Sequence, residues 1–259
     1  STPTATATPT ATNTSTPTPT QTSTPTATAT PSQTATQTAT QTPTVTPTFT
    51  KTSTPPPTPP PSVIVDDFNG SLLGTDWEWY VPQIGPDYSL SAEPGALQLV
   101  VQPDKDHWVG IDASPQVRRR DMGPGDWAIE TYLALDETNT GDQWQINLMA
   151  GFDRYDQQWL SIGSDNKLEV RRVGADETAF VTGISLPVYL RIEKSGSQYT
   201  FKYKQNSGDP WTTLDTQTIT NNVSYVGLQV RTFYTSIGDT VLNLDYFRLE
   251  RSSPPDPGP

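Results

Sequence analysis

The chain of 259 residues has no cysteine. Thiol nucleophiles, disulfide staples and cysteine-held zinc are therefore excluded. It has a single histidine, His107, so no His-rich metal site can form, and a Ser–His–Asp relay would have to use that one ring. Neither a Gly-x-Ser-x-Gly elbow nor a phosphate-cradling glycine loop is present. Positive charge is also scarce. Lys and Arg number 16 against 28 Asp and Glu, a net charge of −12, which argues against a nucleic acid or an anionic membrane surface as partner. The longest basic cluster, Arg118, Arg119 and Arg120, lies near Asp112 and Asp121 and reads as a solvated strand or loop edge. No run of about eighteen apolar residues occurs, so no membrane insertion is expected.

Residues 1–62 lack nearly everything a core needs. They are almost entirely Thr, Pro, Ala, Ser and Gln, with Lys51 the only ionisable side chain and Val45 and Phe49 the only large apolar ones. Such a tract cannot bury enough surface to offset the entropy of ordering and is expected to be a disordered linker. Its prolines bias it toward polyproline II, with a reach of up to about 3 Å per residue. Ser/Thr-rich segments with proline are typical of exposed stalks, so an extracellular protein, secreted or attached to the cell surface, is expected. A folded domain then spans 63–251, and 252–259 reads as a Pro-rich tail or the start of another linker.

The domain reads as strands throughout. Turn pairs such as Asn69–Gly70, Pro94–Gly95, Ser195–Gly196 and Ser207–Gly208 punctuate it. Strands are expected near 64–68, 96–102, 115–120, 127–135, 143–152, 157–163, 167–173, 188–194, 198–205, 211–217, 225–233 and 240–250. No stretch repeats apolar residues at helical spacing, so the expected fold is all-β, an antiparallel β-sandwich or jelly roll. Alternation then assigns faces. Ile129, Trp144, Ile146, Leu148, Leu160, Ile162, Val226, Leu228 and Val230 form the inward set. Glu130, Tyr132, Gln145, Asn147, Trp159, Gln229 and Arg231 form an outward set of planar polar and aromatic groups, the chemistry that binds sugar rings and hydroxyls. Loop aromatics Trp79, Tyr80, Tyr88, Trp108, Tyr155 and Tyr234 offer a second patch, whereas Trp77, Trp144, Tyr199, Phe201 and Trp211 read as core.

Several motifs in order resemble one family. Val65-Asp66-Asp67-Phe68-Asn69-Gly70, with Leu72, Leu73, Trp77 and Trp79 following, forms the entry. Pro94-Gly95-Ala96-Leu97-Gln98-Leu99 comes next. Tyr189-Leu190-Arg191-Ile192-Glu193, Gly196, Tyr199-Thr200-Phe201-Lys202-Tyr203 and Trp211 form a hairpin, and Leu244-Asp245-Tyr246-Phe247-Arg248 the exit. From Asp66 to Leu249 the chain resembles the concanavalin A-like, laminin-G-like β-sandwich modules appended to glycoside hydrolases of the β-xylosidase type. The resemblance implies a structural Ca²⁺ held by Asp67, Asn69 and Asp245, with Asp66 as a substitute. It implies a non-catalytic carbohydrate-binding module of a multi-modular protein, a tethered monomer whose partner is a polysaccharide or cell-surface glycan. A laminin-G-like structural or adhesion module and a glycoside hydrolase on the same fold are the alternatives. Against catalysis, the strand 127–135 carries one carboxylate, Glu130, and only Asp153 and Asp156 in a later loop offer a partner, where a glycosidase needs a pair.

Overall fold

The computed structural model describes residues 62–122, 125–135 and 143–252. The expected linker 1–62, but for Ser62, and the tail 252–259, but for Ser252, lie outside the described residues. Every regular element described is a strand. In chain order they are β1 (Ser62–Asp66), β2 (Trp77–Tyr80), β3 (Asp87–Ser89), β4 (Leu97–Val101), β5 (His107–Trp108), β6 (Ile111–Asp112), β7 (Gln116–Arg119), β8 (Trp127–Leu135) and β9 (Trp144–Gly151). There follow β10 (Gln157–Gly163), β11 (Lys167–Arg172), β12 (Glu177–Thr182), β13 (Val188–Ser195), β14 (Gln198–Lys204), β15 (Thr212–Thr218), β16 (Tyr225–Thr232) and β17 (Thr240–Arg251).

Two antiparallel sheets form the sandwich. One runs β15-β14-β13-β8-β17-β4-β3, with β1 also paired to β17; the other runs β12-β11-β10-β9-β16-β7-β2. Long β17 organises the first sheet. Along one edge it pairs with β8, and along the other it pairs first with β4 and then with β1. Strands β5 and β6 form a separate hairpin.

Period-two alternation explains why these segments pack as they do. Leu97, Leu99, Ile129, Leu133, Leu190, Ile192, Phe201 and Leu249 point inward from the first sheet. Ile146, Leu148, Leu160, Ile162, Val170, Leu228 and Val230 meet them from the second, and all are buried. Each such side chain contributes roughly 1.5–3 kcal/mol on leaving water. At the β1 exit the Trp77 ring stands edge-on to Phe247 with centroids 4.9 Å apart, and its Nε1–H donates to Asp66 Oδ2 at 2.7 Å. Expected core residues Trp77, Trp144, Tyr199 and Phe201 are in this cluster. Trp211 is not: it is half-buried on the outer face of the first sheet, beside Lys204 and Arg191. It precedes β15 rather than lying within it, so alternation did not apply.

The outer face of the first sheet is an ionic lattice. Arg191 on β13 bridges Glu130, Glu193 and Glu250 at 2.9, 2.8 and 2.7 Å, while Lys202 and Arg248 add further pairs. Hydrogen bonds from Arg191 hold Glu250 below its ordinary value of 4.5, and those from Lys202 and Arg191 do the same for Glu193 against the upward push of burial. A carboxyl depressed by folding stabilises above its unfolded value, and that stability goes as pH falls through the folded value. The melting temperature is therefore expected to be level above about pH 5 and to fall progressively below about pH 4.5. A melt series across that range tests this, and a transition insensitive to acid would refute it.

Candidate carbohydrate-binding site

The outer face of the second sheet is polar and largely covered. Registry places Ser161 opposite Asn147, Asn147 opposite Gln229, and Gln229 opposite Gln116, a transverse row across β10, β9, β16 and β7. One step along the strands, Gln145 faces Arg231. One step the other way, Arg171, Trp159 and Met149 share a row with Gly227 and Arg118. The β5–β6 hairpin lies over this face, with Trp108 packed on Trp159 (centroids 6.2 Å) and His107 edge-on to the same ring at 6.0 Å.

Arg231 is the hub. It is 6 % exposed, its Nε donates to Asp106 Oδ1 at 2.7 Å and its Nη1 to Gln145 Oε1. Its guanidinium also lies over Trp159, Phe233 and Trp108 at 4.8, 5.3 and 5.6 Å. Glu169 takes Lys167 and Arg171 at 2.9 Å each, and Gln145 Nε2 at 2.8 Å. Burial alone would raise the Glu169 carboxyl, yet these cationic partners hold it below the usual range. Two contiguous clefts open here, of about 420 and 320 Å³, sharing Gln145, Glu169, Arg171 and Phe233. Trp108, Asp106 and Arg231 wall one end, and Lys167 and Asp165 the other. A larger cavity of about 630 Å³ lies at the opposite end of β16, but its one aromatic, Trp127, is 3 % exposed and offers no ring face.

Between the Trp159 and Arg231 rows that the hairpin touches, and on the hairpin itself, the polar groups are only partly paired. Asn147 Nδ2 donates to Gln229 Oε1 at 2.7 Å and Arg118 Nε to Gln116 Oε1 at 2.8 Å. That leaves Ser161 Oγ, Asn147 Oδ1, Gln229 Nε2, Gln116 Nε2, Arg118 Nη2 and His107 Nε2 buried without a protein partner. A buried polar group left unmet costs about 1–3 kcal/mol. His107 Nδ1 lies 3.1 Å from Asp112 Oδ1, and Asp112 also binds the Tyr80 hydroxyl and Arg154. Burial pushes the imidazole below its ordinary value, outweighing Asp112, so at neutral pH Nδ1 carries the proton and Nε2 is an acceptor.

The outward set read from alternation divides between the sheets. Gln145, Asn147, Trp159, Gln229 and Arg231 do share one face, on β9, β10 and β16. Glu130 and Tyr132 do not: they lie on β8, on the outer face of the other sheet, where Arg191 and the Tyr246 hydroxyl engage Glu130 and the tilted ring of Tyr189 packs on Tyr132. Asp156, a possible carboxylate partner for Glu130, pairs instead with Arg172. Trp159 is on the expected face but 0 % exposed under the hairpin, so it supports Trp108 rather than meeting a ligand. Trp79, Tyr80 and Tyr88 lie in β2 and β3, not in loops. Arg118 and Arg119 are not solvated: they are 5 % and 2 % exposed, Arg118 between the rings of Tyr80 and Tyr225 and Arg119 paired with Asp121. Lys167, Glu169 and Arg171 were missed, although their alternation along β11 is the same signal that marked Gln145 and Asn147.

Among the described residues, no three His, Cys, Asp or Glu side chains gather to hold a metal ion. Of the calcium ligands implied by resemblance, Asp67, Asn69 and Asp245 are exposed, Asp67 accepts the Asn69 backbone N–H, and Asp66 is occupied by Trp77 and the Phe68 N–H. They form no cage.

No family model and no curated protein matches the chain. Solved structures do. Xylan β-1,4-xylosidase from Bacillus halodurans C-125 superposes with a TM-score of 0.59 and 19 % identity over 72 % of this chain and 39 % of that one. Bacteroides ovatus Xyloglucan PUL GH43B gives 0.54 and 17 %, covering 71 % and 38 %, and the GH43 protein BlXynB from Bacillus licheniformis gives 0.52 and 18 %, covering 71 % and 38 %. The domain is an antiparallel two-sheet β-sandwich, a fold it shares with these proteins. The expected likeness to the β-sandwich of β-xylosidase-type glycoside hydrolases holds at the level of fold, and this chain spans under two-fifths of the length of each of these proteins.

Proposed function

We infer that this β-sandwich is a non-catalytic carbohydrate-binding module of an extracellular, multi-modular protein, and that it holds polysaccharide in the groove between Trp108, Phe233 and Lys167. One observation carries this reading. The groove combines partly exposed rings, Trp108 and Phe233, with the planar polar groups of Gln145, Glu169, Arg171 and Arg231, the chemistry that meets ring faces and hydroxyls. Its carboxylates argue against hydrolysis. Asp106 and Glu169 are each neutralised by arginine, and a general acid needs a raised carboxyl where Glu169 is lowered. On the other sheet Glu130 and Glu250 both bind Arg191, and Glu250 too is lowered.

The test is retention on insoluble xylan, cellulose, chitin and mannan; xylan comes first because one similar structure is a xylan β-1,4-xylosidase. A single site of this kind is expected to bind with a Kd of about micromolar to millimolar, strengthened by neighbouring modules. Trp108→Ala and Arg171→Ala should weaken retention about tenfold, while Tyr132→Ala, on the other sheet, leaves it unchanged. None of Asp67, Asn69 and Asp245 lines the groove, so EDTA should leave retention unchanged even if a structural calcium ion there alters the melting temperature. No retention on any glycan by a cooperatively melting protein would move the assignment to a structural or adhesion module.

A further inference from the structure

The row Ser161–Asn147–Gln229–Gln116 differs from the rest of its sheet face. Toward the groove, each charged group has its partner: Arg231 with Asp106, Glu169 with Lys167 and Arg171. Along the row the residues are 0 % exposed, uncharged, and each keeps one hydrogen-bonding atom unused. The row crosses three strand spacings of about 4.8 Å, so its unused atoms extend over about 14 Å, room for the hydroxyls of a whole sugar ring. Arg118 Nη2 adds an unused atom on the same face, and His107 Nε2 adds another from the hairpin itself.

The kinds of atom are informative. Gln229, Gln116 and Arg118 present N–H donors, Asn147 Oδ1 and His107 Nε2 present acceptors, and the Ser161 hydroxyl does either. An anion would meet repulsion from the acceptors, and a cation from the donors. Neutral hydroxyls, each both donor and acceptor, satisfy all of them.

The cover is held mainly by side chains. The β5–β6 hairpin pairs with neither large sheet. Backbone bonds at its root tie Asp104 N–H to Phe233 O and Thr232 N–H to Lys105 O. Beyond them it rests on side chains, Asp106 on Arg231, Trp108 and His107 on Trp159, and Asp112 on Tyr80 and Arg154, and its tip residues Val109 and Ile111 are 62 % and 47 % exposed.

We propose that the β5–β6 hairpin is a movable cover over a second subsite, in which Ser161, Asn147, Gln229, Gln116, Arg118 and His107 bind the hydroxyls of one neutral sugar ring of the chain lying in the groove. The subsite rests on the groove reading above and adds specificity to it.

Calorimetric titration of the full chain with xylohexaose, cellohexaose and whichever polysaccharide is retained tests it, comparing wild type with Asn147→Leu/Gln229→Met and with Ser161→Ala. The double change removes both ends of one internal hydrogen bond, so the melting temperature should hold or rise. Affinity should fall about tenfold or more in the double variant and about threefold in Ser161→Ala. Hydrogen exchange across residues 107–112 should slow on saturation. If the double variant fails to fold, Ser161→Ala and the exchange measurement decide. Unchanged affinity and unchanged exchange, with wild type binding, would mean that the row holds ordered water only; the subsite falls and the groove stands. If wild type binds no glycan of any length, the groove reading itself fails.

Discussion

Arg231→Met is expected to abolish glycan retention and to destabilise the domain by about 3 kcal/mol, the low end of the range for breaking a buried ion pair from one side, because the stranded Asp106 is 26 % exposed. For a domain of this size that is a fall in melting temperature of about 10 °C. The cause is specific. Methionine fills part of the volume, so the loss is electrostatic: Asp106 loses its cation at 2.6 Å and Gln145 Oε1 loses its donor. The planar cation that Trp108, Trp159 and Phe233 surround goes with them. Adding Asp106→Asn to Arg231→Met should recover much of the stability, because no charge is then stranded, but not the binding. Thermal melts beside a polysaccharide pull-down check both halves. A single variant that melts like wild type would show that Arg231 does not organise this face.

The second large effect is at Gly227. A Cβ there would lie 1.9 Å from the backbone oxygen of Val117, on the neighbouring strand. That oxygen cannot retreat, because β7 is held between β16 and β2. Arg118, which Gly227 faces, is itself fixed between the Tyr80 and Tyr225 rings at 3.5 and 4.3 Å. Gly227→Ala should therefore cost about 4 kcal/mol or more, an exceptional value for adding one methyl group. Gly208→Ala, where an added Cβ meets nothing within 4 Å, should be close to neutral. Soluble yield and melting temperature for the pair are the measurement, and equal behaviour would show that β16 and β7 yield more than their registry suggests.

How much of this was legible follows from what a period of two carries. Along β9, β10 and β16 alternation correctly separated Ile146, Leu148, Leu160 and Val230 from Gln145, Asn147, Trp159 and Arg231, because each strand has one face in the core. Alternation names a face but not a sheet. Glu130 and Tyr132 obey the same period on β8, and only pairing to β13 and β17, residues remote in sequence, puts them on the far side of the sandwich. The hairpin was illegible for a different reason. His107, Trp108, Ile111 and Asp112 are too few to show any period, and their role comes from packing onto Trp159. The burial of Arg118 depends likewise on Tyr80 and Tyr225, each from a separate strand.

The pairing of β1 with β17 has a mechanical meaning. Ser62 lies opposite Arg251, so the chain enters and leaves the domain at the same end of one antiparallel ladder. Tension applied through both ends would load the Ser62–Arg251 pair first and then each pair in turn toward Asp66 and Phe247, opening the ladder like a zip instead of shearing all its bonds together. A domain strung this way yields at low force and lengthens early, so under load it would act as an extensible element while the sheet face that carries Trp108 and Arg231, on the other sheet, is still intact.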